Sequence, residues 1–406
     1  MDAIRKDFPI LNRRIDGKPL IYLDSTATSL KPQAVLDAMD EYYTSYGANV
    51  FRGIYKISER ATLAYESARE RIAKFIGAKE KEEVIFTRGT DESISLLYYS
   101  WALPHMSACD VVVTTIMEHH ANFLPWQQLV KTKGVTLKIW NIDPNGELNL
   151  NDLDTLITRE TKLLALTAVS NVLGTINPIQ KITRTVKKLN PACLVLVDAA
   201  QAAPHMAINV QEWGADFVAF SSHKMLGPTG IGVLWGRREL LEDMPVFNFG
   251  GDMIKEVHRD HTVFAGIPYK FEAGTPHVAG AIGLGAAVDY LTALGMDAVR
   301  KHELEITSYA LDRLSSINGI SIVGPKEATH RGGVIAFTMK GLHPHDIAQI
   351  LDEDNICIRV GFHCAQPIHE YLSIGATARA SFYIYTTKAD IDALANGLYK
   401  VKKILG

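Results

Sequence analysis

The segment Ser221-Ser222-His223-Lys224 stands between an apolar run ending at Phe220 and the turn Gly227-Pro228-Thr229-Gly230. A lysine just past the carboxyl end of a buried strand is where an open α/β sheet places ligand-contacting groups. Apolar surroundings would lower its pKa and favour Schiff-base chemistry, and Ser221 and His223 add donors for an anion. Taken alone, Lys224 reads equally well as a solvated loop lysine. Asp198 ends the earlier apolar run Leu194-Val195-Leu196-Val197, where a carboxylate is costly unless it meets a cation or several donors. It can cap the turn Ala199-Ala200-Gln201, or bind the protonated nitrogen of a pyridine cofactor. At the ends of successive strands on one sheet edge, Asp198 and Lys224 could touch a single cofactor.

Other segments have the composition to complete such a site. Val84–Thr87 is followed by Arg88-Gly89-Thr90-Asp91-Glu92-Ser93 and an apolar helix, a strand–turn–helix step whose free N–H groups and positive dipole end attract phosphate. The same segment also reads as a simple N-cap by Thr90 or Asp91. His119, in Glu118-His119-His120-Ala121-Asn122, follows the strand Val111–Thr115. A histidine there could stack on a cofactor ring and move protons, or begin a solvated helix. Adjacent histidines lack the spacing of a helical metal pair, so no metal site is assigned. Cys364 lies in Arg359-Val360-Gly361-Phe362-His363-Cys364-Ala365-Gln366-Pro367, where two cationizable neighbours would favour its thiolate. Cys109, Cys193 and Cys357 read as inert structural residues. Arg379, inside a strand-like run, needs an anion, either an internal carboxylate or that of a substrate.

These residues need a scaffold that gathers them. Short β-branched runs (Val84–Thr87, Val111–Thr115, Leu163–Thr167, Leu194–Val197, Phe217–Phe220) alternate with stretches of helical period, which predicts a mostly parallel sheet with helices on both faces. Ser58 is the expected N-cap of one helix and Gly77 its αL terminator, while Pro32 opens another. After Gly295 the pattern changes to a long helix over 297–314, strands near Ile320–Val323 and Gly333–Phe337, then helix, strand and helix. The expected division is a large domain over 22–294 and a smaller α+β domain built from 1–21 and 295–406, packed closely around a shared cleft.

With 406 residues, 47 % of them apolar and 21 % charged, the chain has globular composition. Its net charge of −3 offers no basic field for nucleic acid or an anionic membrane. Four scattered cysteines fit neither a disulfide framework nor a zinc ribbon. The N-terminus lacks the apolar core of a signal peptide. The expectation is a cytoplasmic protein acting on small molecules. Gly230-Ile231-Gly232 precedes a strand and lacks the full dinucleotide-binding spacing, which argues against a nicotinamide dehydrogenase.

Taken together, Ser221-Ser222-His223-Lys224, Leu196-Val197-Asp198-Ala199-Ala200-Gln201, Met117 through Asn122, Ser170-Asn171-Val172-Leu173-Gly174 and Arg359 through Pro367 resemble the group II cysteine desulfurases of SufS type. These are fold-type I pyridoxal phosphate enzymes of aminotransferase class V. The resemblance runs from Phe8-Pro9 to the last helix and implies an α/β fold with a mostly parallel, seven-stranded-type sheet. By that likeness Lys224 would hold pyridoxal 5′-phosphate as a Schiff base, Asp198 would pair with the ring nitrogen and Gln201 with the phenolic oxygen. His119 would stack on the ring, and Asn171 would bond beside it. Thr90, Asp91, Ser221 and His223 would hold the phosphate, with Thr275 reaching the phosphate of the other subunit of a homodimer. Arg379 and Arg359 would serve the carboxylate of L-cysteine and the sulfur loop. Lys224 would move the Cα proton, and Cys364 would take the sulfur as a persulfide. A small acceptor protein of the SufE or SufU type would then receive it for iron–sulfur cluster assembly.

Three positions depart from the family pattern: Asp91 replaces a threonine, Tyr55 a histidine and Phe362 a histidine. Asp91 would repel a dianionic phosphate and weaken cofactor retention. Two alternatives stand beside the desulfurase: a selenocysteine lyase using the same cofactor, and a weakly active scaffold that binds a sulfur-transfer partner.

Overall fold

The computed structural model describes residues 2–406. The apolar runs form the strands Val84–Thr87 (β1), Val111–Thr115 (β2), Thr136–Trp140 (β3), Thr161–Thr167 (β4), Leu194–Asp198 (β5), Phe217–Ser221 (β6) and Gly232–Gly236 (β7). They make one sheet in the order β1-β7-β6-β5-β4-β2-β3. Only β7 runs antiparallel to its neighbours. Strands buried on both faces need unbroken apolar sequence, which is why β1, β2, β5 and β6 are legible. The edge strand β3 is partly exposed and carries Lys138, so its pattern is diluted.

The parallel strands bring their carboxyl ends to one edge. Thr115 of β2 leads to His119, Thr167 of β4 to Asn171, Asp198 closes β5, and Ser221 closes β6. One face of the sheet is covered by α1 (Gln33–Ser45), α2 (Lys56–Ile76) and a later helix, Val278–Leu294. The other packs on α3 (Thr90–Leu97) and its neighbours. Val278–Leu294, α4 from here on, is apolar around most of its circumference because it is buried by both α1 and α2. It ends at Gly295, where φ is +78°, and the next helix, α5 (Met296–Ser315), leaves at 77°. Among the described residues no single helix is long and apolar enough to cross a membrane.

A second, antiparallel sheet is made of Ile320–Val323 (β8), Val334–Met339 (β9), Arg359–Gly361 (β10) and Thr377–Ser381 (β11), in the order β8-β9-β11-β10. It has its own core, including Ile335, Phe337, Leu351 and Leu394. The N-terminal segment joins this sheet before entering α1: Ile21–Tyr22 pairs parallel with Ile356–Cys357, and Asp24 bridges to Ser381. Two buried tyrosines weld the sheets together. Tyr385 Oη lies 2.9 Å from Ser25 Oγ and accepts from the Leu30 amide at 3.1 Å, while Tyr383 Oη donates to the Pro204 carbonyl at 2.7 Å.

Local details correct three expectations. Helix α2 starts at Lys56 with Tyr55 at its N-cap, and Ser58 lies inside the first turn, its hydroxyl donating to the Asn49 carbonyl at 2.7 Å. Gly77 ends that helix at φ +70° as expected. Helix α3 has Gly89 at its N-cap and no side-chain cap, because Thr90 is directed to Ser221 instead. Cys109 is exposed rather than packed, since it sits in the turn before β2.

Gly232 is fixed by close approach. A Cβ there would lie 2.5 Å from Gly89 Cα and 2.8 Å from the Phe220 carbonyl oxygen. Gly232→Ala should therefore destabilise the fold by about 2 kcal/mol, in the range of overpacked cores, as measured by denaturant unfolding. An unchanged midpoint would show that the β1–α3 turn yields freely.

Candidate active site

The turn after β6 is a short 3-10 segment, Ser222–Lys224, followed by Leu226 at φ +67°. It is gripped from above by the segment between the N-terminal strand and α1. The His223 carbonyl accepts from the Ser29 amide at 2.9 Å, Thr28 Oγ1 at 3.0 Å, Ser29 Oγ at 3.1 Å and Lys31 Nζ at 3.0 Å. Ser29 Oγ also accepts from the Leu226 amide at 2.7 Å. Four donors converging on one carbonyl leave the backbone carrying Lys224 little freedom. Burial lowers the Lys224 pKa, opposed by the Asp198 charge, and raises that of Asp198, opposed by Lys224. Asp198 also accepts from the Ala200 amide at 2.9 Å, so capping and pairing are compatible uses of one carboxylate.

Lys224 opens into a cleft of about 410 Å³, lined also by Asp91, His119, Asn171, Gln201, Ser221 and His223 from the large sheet. Arg359, Cys364 and Arg379, from the elements of the second sheet, form the opposite wall. Asp198 lies buried beneath. Thr90 reaches the site through Ser221, whose Oγ accepts from the Thr90 amide at 2.8 Å and lies 2.7 Å from Thr90 Oγ1. Thr275 is not brought to this cleft. It lines a separate cavity of about 490 Å³ with Arg88, Glu92 and His277, held there because neighbouring Glu272 is locked to buried Arg69 at 2.7 and 2.8 Å and to the Phe86 amide at 2.7 Å.

His119 Nδ1 accepts from the Ala121 amide at 3.1 Å, which puts the ring proton of the neutral form on Nε2. Burial and the neighbouring Lys224 charge push its pKa down to about 4. Behind it Glu118 is fully buried and accepts from Thr115 Oγ1 at 2.6 Å, the Thr167 amide at 2.9 Å and Asn122 Nδ2 at 2.7 Å. Burial raises its pKa to about 8. In the sequence Glu118 looks like part of a polar run; the signal it does carry is a carboxylate three residues after a fully buried strand.

Cys364 is exposed at the rim, yet its backbone is constrained. His363 and Cys364 have φ of +51° and +54°, each costing about 1 kcal/mol or more for a residue with a side chain. The His120 amide donates to the Cys364 carbonyl at 2.7 Å, and Asn171 Nδ2 donates to the His363 carbonyl at 2.7 Å. His363 Nε2 lies 2.9 Å from Thr377 Oγ1. Cys193 and Cys357 are taken out of play by burial, which raises both thiols, Cys193 to about 12.

The donor set suits pyridoxal phosphate. Ser221, His223 and the N-terminal turn of α3 offer donors for an anion, and the Lys224 amine and the buried Asp198 carboxylate stand close enough to feel each other's charge. Gln201 donates through Nε2 to the Thr26 carbonyl at 2.9 Å, but its buried Oε1 has no partner. Arg379 likewise keeps a buried Nε with no partner.

Residues 21–394 match the aminotransferase class-V family. A protein of Halalkalibacterium halodurans described as "Probable cysteine desulfurase" is 49 % identical over 99 % of this chain and 98 % of its own length. A counterpart so described from Streptomyces coelicolor is 50 % identical over 100 % and 98 %. The chain belongs to the aminotransferase class-V family, among its cysteine desulfurases. Family members use pyridoxal phosphate, and this is the chain's cofactor. Among solved structures, the cysteine desulfurase CsdA of Escherichia coli superposes with a TM-score of 0.91 at 36 % identity, covering 100 % of this chain and 98 % of that one. The cysteine desulfurase of Thermococcus onnurineus gives 0.92 at 39 %, covering 99 % and 98 %. The expected α/β architecture of this family is thus the one observed.

Burial, with Arg379 and His369 nearby, pushes the His363 pKa down to about 2 from an ordinary 6.5. A folded-state value below the unfolded one means that the unfolded chain binds the extra proton, so His363 weakens the fold as pH drops below about 6.5. His363→Gln removes that dependence. The Tm advantage of wild type over this variant should shrink between pH 7.5 and pH 5, read by calorimetry. An advantage constant across that range would contradict the buried neutral ring.

Proposed function

We propose that this chain converts L-cysteine to L-alanine, with the sulfur held as a persulfide on Cys364. The observation that carries the reading is that Lys224 and Cys364, from different sheets, line one cleft together with Arg379, whose guanidinium has donor capacity to spare. Pyridoxal phosphate, when bound, supplies an electron sink for negative charge at the substrate Cα. Lys224 would hold it, with Asp198 at the ring nitrogen, Gln201 at the phenolic oxygen, His119 against the ring and Asn171 beside it. Arg379, backed by Arg359, orients the substrate carboxylate. Lys224 Nζ would take the Cα proton. Cys364 Sγ attacks the substrate sulfur, the Cβ–S bond breaks with its electron pair left on carbon, and proton return yields alanine beside a Cys364 persulfide.

The reading extends to assembly. The segments 1–21 and 295–406 would form the unit carrying the cysteine loop, and 22–294 the unit carrying the cofactor. Thr275 lies outside its own chain's cleft, and nearby Ile54, Tyr55 and Phe249 are exposed on loops tied together by an Arg52–Asp252 ion pair of 2.7 Å. Such an apolar face suits a second copy of the chain, with Thr275 completing the partner's phosphate site. An exposed Cys364 suits hand-over of sulfur to a small acceptor protein of the SufE or SufU type, for iron–sulfur cluster assembly in the cytoplasm.

The purified protein should absorb visible light and form alanine from L-cysteine. Lys224→Ala should lose the chromophore and turnover, and Cys364→Ser should keep the colour while losing sulfide release by at least a hundredfold. Undiminished turnover in Cys364→Ser would remove this cysteine from the reaction. Asp91 lines the cleft near the anion site, so Asp91→Thr should tighten cofactor binding several-fold. Unchanged or weaker retention would show that only the Asp91 backbone faces the phosphate.

A further inference from the structure

If Cys364 takes the sulfur, as the reading above has it, the rate depends on where its backbone holds Sγ, and one side chain beside it is left without a role. His119 lines the cleft, whereas the ring of the next residue, His120, is turned to the cysteine loop. The His120 amide donates to the Cys364 carbonyl at 2.7 Å, and His120 Nε2 accepts from the Gln366 amide at 3.1 Å. Main chain and side chain of one residue thus bracket residues 364–366. The ring contact answers a need that the loop sequence creates. Gln366 opens the short helix Gln366–Tyr371, and the first amides of a helix have no partner within it. Ala365, at the N-cap, carries no side-chain acceptor, and Pro367 has no amide. The Gln366 amide therefore needs an acceptor from outside the loop, and His120 supplies it. Burial lowers the His120 pKa from its ordinary value, which keeps Nε2 free to accept.

We infer that His120 is a positioning residue for Cys364: its ring caps the helix behind the cysteine and, with its own amide, holds the Cys364 backbone in the conformation that brings the thiol to the cleft. That conformation needs such support. His363 and Cys364 both lie in the left-handed region, which residues with side chains keep only where the surroundings over-determine it. Asn171 Nδ2 holds the His363 carbonyl on one side of the thiol, and His120 holds the Cys364 carbonyl and the amide beyond it on the other. Two adjacent histidines then divide one turn between them, His119 serving the cleft and His120 the loop.

The test compares two side-chain amides of different reach. In His120→Gln the amide oxygen falls near the place of Nε2, and in His120→Asn it stops near that of Nδ1. Hydrogen exchange of the Gln366 amide in the holoenzyme, read by mass spectrometry of the loop peptide, should be about tenfold faster in His120→Asn and unchanged in His120→Gln. Turnover of L-cysteine should follow the same order: kcat about tenfold lower in His120→Asn, with KM within about twofold of wild type and cofactor absorbance unmoved, and wild-type kcat in His120→Gln. Equal exchange in the two variants, full kcat in His120→Asn, an equal fall of kcat in both, or a loss confined to KM would overturn the proposal. Should His120→Asn fail to fold, His120→Ala takes its place with the same expected and contradicting results. Wild type that forms no persulfide on Cys364 would sink the desulfurase reading alone, because exchange of the Gln366 amide needs no turnover.

Discussion

Holding a half-buried ammonium beside a buried carboxylate, near the ends of two parallel strands, is the constraint on which the rest of this molecule depends. Neither Lys224 nor Asp198 would be tolerated there alone, since desolvation disfavours the charged form of each. Their mutual attraction offsets part of that penalty, and a cofactor with a positive ring nitrogen and a reactive aldehyde would offset more. The price appears in the surroundings: the His223 carbonyl is held by four donors, one of them Lys31, itself pushed down to about 8 by burial. The segment from Asp24 to Lys31 is consequently a structural part of the site, although it belongs to neither of the strands that carry Lys224 and Asp198.

The second wall solves a different problem. A thiol that must reach into the cleft and also face solvent cannot be packed into a core, so its position has to come from the backbone. Two consecutive residues in the left-handed region store strain, and hydrogen bonds from His120 and Asn171 hold it in place. Those two donors belong to the turns after β2 and β4, so the cysteine loop is referenced directly to the sheet edge that bears Lys224. Both sheets thus share one coordinate frame through a few polar contacts and the tyrosines at 383 and 385.

Much of this was legible in the sequence because its physics is local. Doubly buried strands leave apolar runs, and Asp198, which closes one, and Lys224, three residues past another, stand at the carboxyl edge where an open sheet places ligand-contacting groups. The edge strand β3 was not named, because partial exposure erases its pattern. The N-caps of α2 and α3 were misplaced by one to three residues because tertiary bonds, Ser58 to Asn49 and Thr90 to Ser221, claimed the hydroxyls that capping would have used. The ion pairs of Asp24 could not have been found by spacing at all: they join it to Arg359 and Arg379, brought together by a strand register that no short motif encodes. For Arg379 itself, the sequence left an internal ion pair and a substrate clamp open, and the structure shows the ion pair, weakly made and with one buried donor left over.

The central claim is that the sulfur of the substrate passes to Cys364 under the control of Lys224. Mass spectrometry of the Cys364-bearing peptide, after exposure to L-cysteine and digestion without reductant, tests it most directly. The account predicts one added sulfur atom on Cys364 in the wild type and none in Lys224→Ala. Sulfur found on Cys109 instead, or on Cys364 in the absence of Lys224, would contradict it.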